Sequence, residues 1–177
     1  MLEELKGICS VGFDLDGIFI DGPLFIPKEL IEWLYRGPQD RDPKYRFPTT
    51  TLEQEVRKLS HNSLMRPRIS KNIDFVKKLS SNKKLKLYLI SSRYDFLKDR
   101  TFDILKKYGI ENCIYKIYLN KDNEQPHLFK KRILESLKLN IFVEDDLTIL
   151  KFLKQYHSKM ILLWYNPKRG LRTPDGI

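Results

Sequence analysis

Apolar residues along this chain gather in short dense runs, separated by longer stretches where they recur every third or fourth position. Residues 8–13, 85–90 (LKLYLI), 114–119 (IYKIYL), 141–143 and 160–164 (MILLW) read as short buried strands. Between them the period becomes helical. Ile73, Val76 and Leu79 precede the second run. Leu97, Thr101, Ile104, Leu105 and Tyr108 precede the third, with Gly109 as a helix stop. Leu128, Leu134 and Leu137 precede the fourth, and Leu147, Leu150 and Leu153 the fifth. Strands alternating with helices predict an α/β fold, a three-layer Rossmann-like parallel sheet of about five strands. Right-handed crossovers bring the C-terminal ends of the strands to one edge, where open α/β sheets build their sites.

The alternation fails between residues 16 and 65. Residues 28–35 look helical, and residues 37–48 (GPQDRDPKYRFP) form a loop rich in proline and charge. A second helix is expected near Thr50, because Thr50 and Glu53 have capping-box spacing. Leu52, Val56 and Leu59 would be its apolar face. The division that follows is a core of residues 1–22 and 65–177, with a small helical cap, residues 23–64, inserted after the first strand.

A length of 177 residues suits one domain with such an insertion, and 41% hydrophobic residues can fill its core. No apolar run approaches the roughly 20 residues needed to span a bilayer. The opening MLEELKG lacks the apolar centre of an export signal. A cytoplasmic location and no membrane partner are expected. Cys9 and Cys113 are too few and too isolated for a disulfide framework or a zinc site, and both are expected in strands as small buried groups. The net charge of +10 is uneven. Residues 65–86 carry eight basic groups and one acidic, and residues 151–177 six and one. An anionic partner such as a nucleotide or nucleic acid accounts for that excess. So does a coding bias, since the chain has no alanine and abundant Lys, Ile, Leu and Asn.

Four strand ends carry candidate chemistry. The first reads Phe13-Asp14-Leu15-Asp16-Gly17. Alternate strand residues point the same way, so both carboxylates can face one site. Paired acids beside a divalent cation suit phosphoryl transfer, one as nucleophile and one as proton donor. The glycine lets the chain turn away. A solvated acidic turn is the plain alternative. The second end reads Ile90-Ser91-Ser92-Arg93, where a hydroxyl and backbone N–H groups can hold a phosphate oxygen or simply cap a helix. The fourth reads Val143-Glu144-Asp145-Asp146. Three consecutive acids repel one another unless a cation sits among them, although acids also favour a helix N-terminus. Before that strand, Lys130 and Lys131 offer a charge clamp or a basic helix face. Lys130 falls three and four residues before Ile133 and Leu134, on the inward side.

Acids, serine, lysine and acids at one sheet edge are more economically one site than four coincidences. FDLDG, LISSR, the lysine before the fourth strand, and FVEDD resemble the four motifs of the haloacid dehalogenase superfamily, over roughly residues 7–23 and 65–165. An aspartate at position 16 points to its phosphatases. The resemblance implies that Asp14 forms an aspartyl-phosphate and that Asp16 is the general acid and base. It implies that Ser91 binds the transferring phosphoryl group, and that Lys130, or else Lys131, is the clamp. Magnesium would be held by Asp14, the Asp16 carbonyl and Asp145, with a share open between Glu144 and Asp146. Ser92, Arg93 and Lys131 would line the substrate. The spacing resembles a small nucleotidase-like branch, and the insertion resembles that superfamily's small cap.

The expected activity is therefore magnesium-dependent phosphomonoester hydrolysis on a small phosphorylated substrate, with nucleotides favoured and 5'-nucleotidase-like chemistry in view. Trp33 and Arg46 in the cap would stack on a base and pair with phosphate. A non-catalytic module of the same fold, binding nucleic acid or another anionic partner, is the competing reading. A receiver domain fits less well, since its phosphorylated aspartate follows the third strand, here Leu119-Asn120-Lys121.

Overall fold

The computed structural model describes residues 9–23, 45–167 and 170–173. The expected helix at 28–35, and Trp33 with it, lie outside the described residues. The elements are β1 (Ser10–Phe13), α1 (Thr51–Ser60), α2 (Ser70–Ser80), β2 (Lys86–Tyr94), α3 (Lys98–Lys107), β3 (Lys116–Asn120), α4 (Pro126–Ser136), β4 (Ile141–Glu144), α5 (Leu147–Lys154), β5 (Ile161–Asn166) and β6 (Gly170–Arg172).

One six-stranded sheet has the order β3-β2-β1-β4-β5-β6. The first five strands run parallel, and β6 pairs antiparallel with β5. The strand order reverses beside β1. The β1 register sets Phe13 against Leu89 on one side and Val143 on the other, so Asp14 and Glu144 leave the sheet side by side. The Asp14 amide donates to the Val143 carbonyl at 2.9 Å and fixes that alignment.

Helices cover both faces. On one, Ile73, Val76 and Leu79 of α2 and Ile104 and Leu105 of α3 pack on Leu87, Leu89 and Val143. On the other, Phe129, Ile133 and Leu134 of α4 meet Phe142, Leu150 and Leu153. Each fully buried side chain of this size contributes about 1.5–3 kcal/mol through its removal from water. Gly109, at φ +64°, ends α3 in the left-handed region. No helix among the described residues is long and apolar enough to cross a membrane.

Several expectations are corrected. All five expected strands are present, and β6 adds a short, exposed sixth with no apolar run to announce it. β2 does not stop at residue 90 but runs through Ser91, Ser92 and Arg93 to Tyr94, with a shift in its pairing to β3 between Ser91 and Tyr94. Cys9 is exposed ahead of β1, and Cys113 lies in a helical turn, Glu111–Cys113. Leu128 is exposed on α4, because it stands about 240° around the helix from Leu134. Helix α1 begins with the expected capping box, Thr50 and Glu53 each accepting from the other's backbone N–H. Its stripe of Leu52, Val56 and Leu59 is nonetheless exposed. Polar groups hold this helix: Gln54 donates to the Pro48 carbonyl, Arg57 to the Arg46 carbonyl, and Arg46 pairs with Glu53.

Candidate active site

Asp14 is the first residue beyond β1 and is buried. Lys130 comes up from α4, only 1% exposed, and its ammonium lies 3.1 Å from Asp14 Oδ1 and 2.5 Å from Glu144 Oε2. Lys131 points away, 3.5 Å from Glu135 and over the ring of Tyr156. The helical period explains the difference: Lys130 shares its face with Ile133 and Leu134, and Lys131 does not.

The three acids ending β4 have different surroundings. Glu144 is buried on Lys130. Asp146 caps α5, its Oδ1 accepting from the amides of Thr148 and Ile149, while its Oδ2 accepts from the Tyr45 hydroxyl at 2.7 Å. Asp145 turns toward Gly17. At φ +72° Gly17 occupies the left-handed region, and a Cβ there would sit 2.0 Å from Asp145 Oδ2. The glycine after the first acids therefore makes room for an acid 128 positions further on.

Asp14, Glu144 and Asp145 offer carboxylate oxygens within 4.8 Å of one another. One ammonium against three carboxylates leaves a local excess of negative charge. Burial raises the Asp14 carboxyl above its usual range, Lys130 opposing and Asp16 adding to the shift. Burial likewise pushes Glu144 well up, again against Lys130. Asp145 keeps part of its surface in solvent, yet burial of its carboxyl, then the charge of Asp14, push it up to about 7. Burial alone would lower the lysine, but Asp14 and Glu144 outweigh it and hold Lys130 firmly protonated. A hard divalent cation taking oxygen ligands fits this donor set: it relieves the repulsion, and magnesium needs only one or two carboxylates besides water.

Asp16 has other partners. The chain has left the strand after Phe13, so the two-residue alternation no longer holds, and the Asp14 and Asp16 carboxylates make different contacts. Arg93 Nε donates to Asp16 Oδ2 at 2.7 Å and its Nη2 to Oδ1 at 2.8 Å, while Arg66 Nη1 donates to Oδ1 at 2.6 Å. Burial would raise this carboxyl, but Arg93 and then Arg66 outweigh it and hold it well below the usual range. His61 is buried alongside. Burial, then the charges of Arg66 and Arg93, keep it neutral, and its Nδ1 lies 2.8 Å from the Arg57 carbonyl.

Ser91 is buried near the end of β2, one residue past the level of Asp14, and its Oγ accepts from the Arg93 amide at 3.5 Å. No side chain caps α3, so helix capping is not the use of Ser91 or Ser92. The Ser92 carbonyl accepts from Asn120. Arg93, besides holding Asp16, donates to Thr101 at 3.3 Å. Arg46 is exposed and paired with Glu53.

Arg66 and His61 carry no sequence signal as members of this neighbourhood, and Tyr45, one of the clustered aromatic and basic residues of the expected cap, meets Asp146. Arg66 is 50 positions from Asp16, and Tyr45 is 101 from Asp146. The backbone of Tyr45 exchanges two hydrogen bonds with the Gln125 side chain, and Phe47 packs edge-on against Tyr94 at 4.8 Å. Residues 45–47 are thus stitched to the α4 start, the α5 cap and the end of β2.

No protein-family model and no curated protein sequence matches the chain. Solved structures do. A haloacid dehalogenase family enzyme from Bacteroides thetaiotaomicron, a mutant in complex with magnesium and inorganic phosphate, aligns with TM-score 0.55 at 14% identity, over 88% of this chain and 93% of that one. The class C acid phosphatase of Bacillus anthracis aligns with TM-score 0.53 at 18% identity, over 96% and 72%. A chain of the Pnkp1/Rnl/Hen1 RNA repair complex aligns with TM-score 0.53 at 12% identity, over 90% of this chain; the present chain spans only 43% of it. These likenesses establish a Rossmann-like fold shared with haloacid dehalogenase-type hydrolases.

Proposed function

We propose that this chain is a magnesium-dependent phosphomonoesterase of the haloacid dehalogenase superfamily, nucleotidase-like and cytoplasmic, working through an aspartyl-phosphate on Asp14. One observation carries the reading. Asp14 is buried at the strand-order reversal, charge-compensated by Lys130 and flanked by the carboxylates of Glu144 and Asp145.

Magnesium, held by Asp14 and Asp145 with Glu144 behind them, would supply positive charge to the transferring oxygens. In the first step an Asp14 oxygen attacks phosphorus, and the bond from phosphorus to the leaving oxygen breaks. The leaving oxygen takes its proton from Asp16. Water then attacks the aspartyl-phosphate, giving inorganic phosphate and restoring the Asp14 carboxylate, with Asp16 taking the water's proton. Lys130 stabilises the charge on Asp14 and the phosphoryl oxygens. Ser91, with Ser92, binds the phosphoryl group. Arg93 and Arg66 hold Asp16 ionised in this structure, so its acid role requires that they shift toward the substrate phosphate.

Nucleotides or nucleic-acid phosphate ends are the favoured substrates. The basic excess, Arg46 and Trp33 in the insertion, and the likeness to a chain of an RNA repair complex support that choice. Phosphate release from an aryl phosphate should require magnesium and stop with chelator; no turnover with magnesium would turn the reading to a non-catalytic module of this fold. A metabolite panel should then rank nucleoside monophosphates above sugar phosphates. Asp16→Asn adds a sharper check. Its loss should be about 10²-fold or more on an alkyl phosphate, whose leaving oxygen needs a proton, and far smaller on a dinitrophenyl phosphate. Equal losses on both would remove Asp16 from the acid role.

A further inference from the structure

A second surface lies away from the carboxylates, where β2 and β3 begin. Lys86 and Tyr88 on β2 alternate with Lys116 and Tyr118 on β3, and Tyr88 stands opposite Lys116 in the register. Period-two geometry puts these four side chains on one face of the sheet. Tyr88 and Tyr118 lie at the rim of the core under α4, only partly buried. Tyr115 enters β3 beside them and is 63% exposed. The Tyr88 ring is 5.5 Å from Tyr115 and 6.5 Å from Tyr118. Ammonium groups lie over this patch, Lys86 at 4.8 Å from the Tyr115 ring and Lys116 at 5.0 Å from that of Tyr118. Lys83 and Lys84 in the turn before β2 are exposed. Residues 82–90 and 110–118 together hold these four lysines and three tyrosines against one carboxylate, Glu111.

We propose that this corner of the sheet is a binding platform for single-stranded nucleic acid. Lysines alone would suit any polyanion, a duplex included. Three neighbouring tyrosines, Tyr115 largely exposed and Tyr88 and Tyr118 partly so at the rim beside α4, add ring surfaces that unpaired bases can stack on and paired bases cannot. The Tyr88 ring meets Tyr115 edge-on and Tyr118 at 30°, and the lysines over Tyr115 and Tyr118 stand where the phosphates of a strand laid across the rings would come. Tyr115 is largely exposed beside Lys86 and the Tyr88 ring, and it is the ring that packing on the core does not use. The platform uses none of the residues assigned to phosphate cleavage, so it stands or falls separately from that reading.

The test is fluorescence anisotropy with a labelled single-stranded oligouridylate of about a dozen nucleotides. Tyr115→Ala and Tyr118→Ala should each weaken binding by about fivefold or more, and Tyr118→Phe, which keeps the ring, should bind like the wild type. Lys86→Gln and Lys116→Gln should each lower the salt slope by about 0.7. Hydrolysis of an aryl phosphate should be unchanged in Tyr115→Ala, which separates a failed platform from a failed catalytic assignment. Unaltered affinity in both tyrosine-to-alanine variants would overturn the proposal. So would equal affinity for a duplex of the same length, or equally effective competition by heparin at matched charge.

Discussion

Replacing Asp14 with asparagine should lower kcat on an aryl phosphate by at least ~10⁴-fold while leaving the protein folded. The amide has no oxyanion to attack phosphorus, so the covalent intermediate cannot form. Acid-quenched wild-type enzyme should carry the added mass of one phosphoryl group during turnover, and the variant none. Folding should survive for a reason visible in the site. Burial already disfavours the charged form of Asp14, and Lys130 keeps its shorter contact to Glu144 when the Asp14 charge is gone. Turnover in Asp14→Asn near the wild-type rate would end the proposed mechanism.

The second large effect belongs to Lys130. Removing one partner of a buried ion pair leaves the other charge uncompensated, at a cost of about 3–5 kcal/mol. Lys130 faces two such partners, so Lys130→Met should be strongly destabilised in urea unfolding without metal, and kcat should fall by about 10² or more. The pH dependence has a definite sign. Asp14, Glu144 and Asp145 all have folded-state values raised above their ordinary ones. For a raised carboxyl, the stability tied to proton binding is fully present below the unfolded value near 4 and is lost as pH rises through the folded value. The deficit of Lys130→Met should therefore be largest above pH 7, where Asp145 with its value of about 7 is ionised, and shrink toward pH ~5. Magnesium should recover part of it above pH 7. Lys131→Met should lose no more than about 1 kcal/mol, as expected of a surface pair, and should keep its activity. The reverse pattern would move the clamp to Lys131.

The first five strands were legible in the sequence because each carries an apolar run, continuous and wholly buried in the central β1 and β4, whereas exposed β6 has none. The helices of the core showed through their period: Ile73, Val76 and Leu79 are buried together, as are Thr101, Ile104 and Leu105. The same logic placed Asp14 and the acids after Val143 at one sheet edge, since right-handed crossovers leave few other arrangements. Helical period alone favours Lys130 over Lys131, and only Lys130 lies beside Asp14.

What the tertiary structure decided is who meets whom across long separations. Nothing in the composition of FVEDD tells that Glu144 pairs with a lysine, that Asp145 closes on Gly17, and that Asp146 is spent on a helix cap and on Tyr45. Those roles follow from how the chain turns after β4, and each acid there differs from its neighbours only in direction. Asp16 stands close enough for its charge to act on Asp14, but strand alternation does not set its direction. The strand ends at Phe13, and beyond it Arg66 and Arg93, 50 and 77 positions away, decide which way that carboxylate faces. Helix α1 marks the opposite limit. Its capping box is a local signal and was readable, while the burial of Leu52, Val56 and Leu59 depended on what stood opposite them. Local periodicity and capping act within one element and are written in the sequence. Charge pairing and burial depend on the element opposite, which only the folded chain supplies.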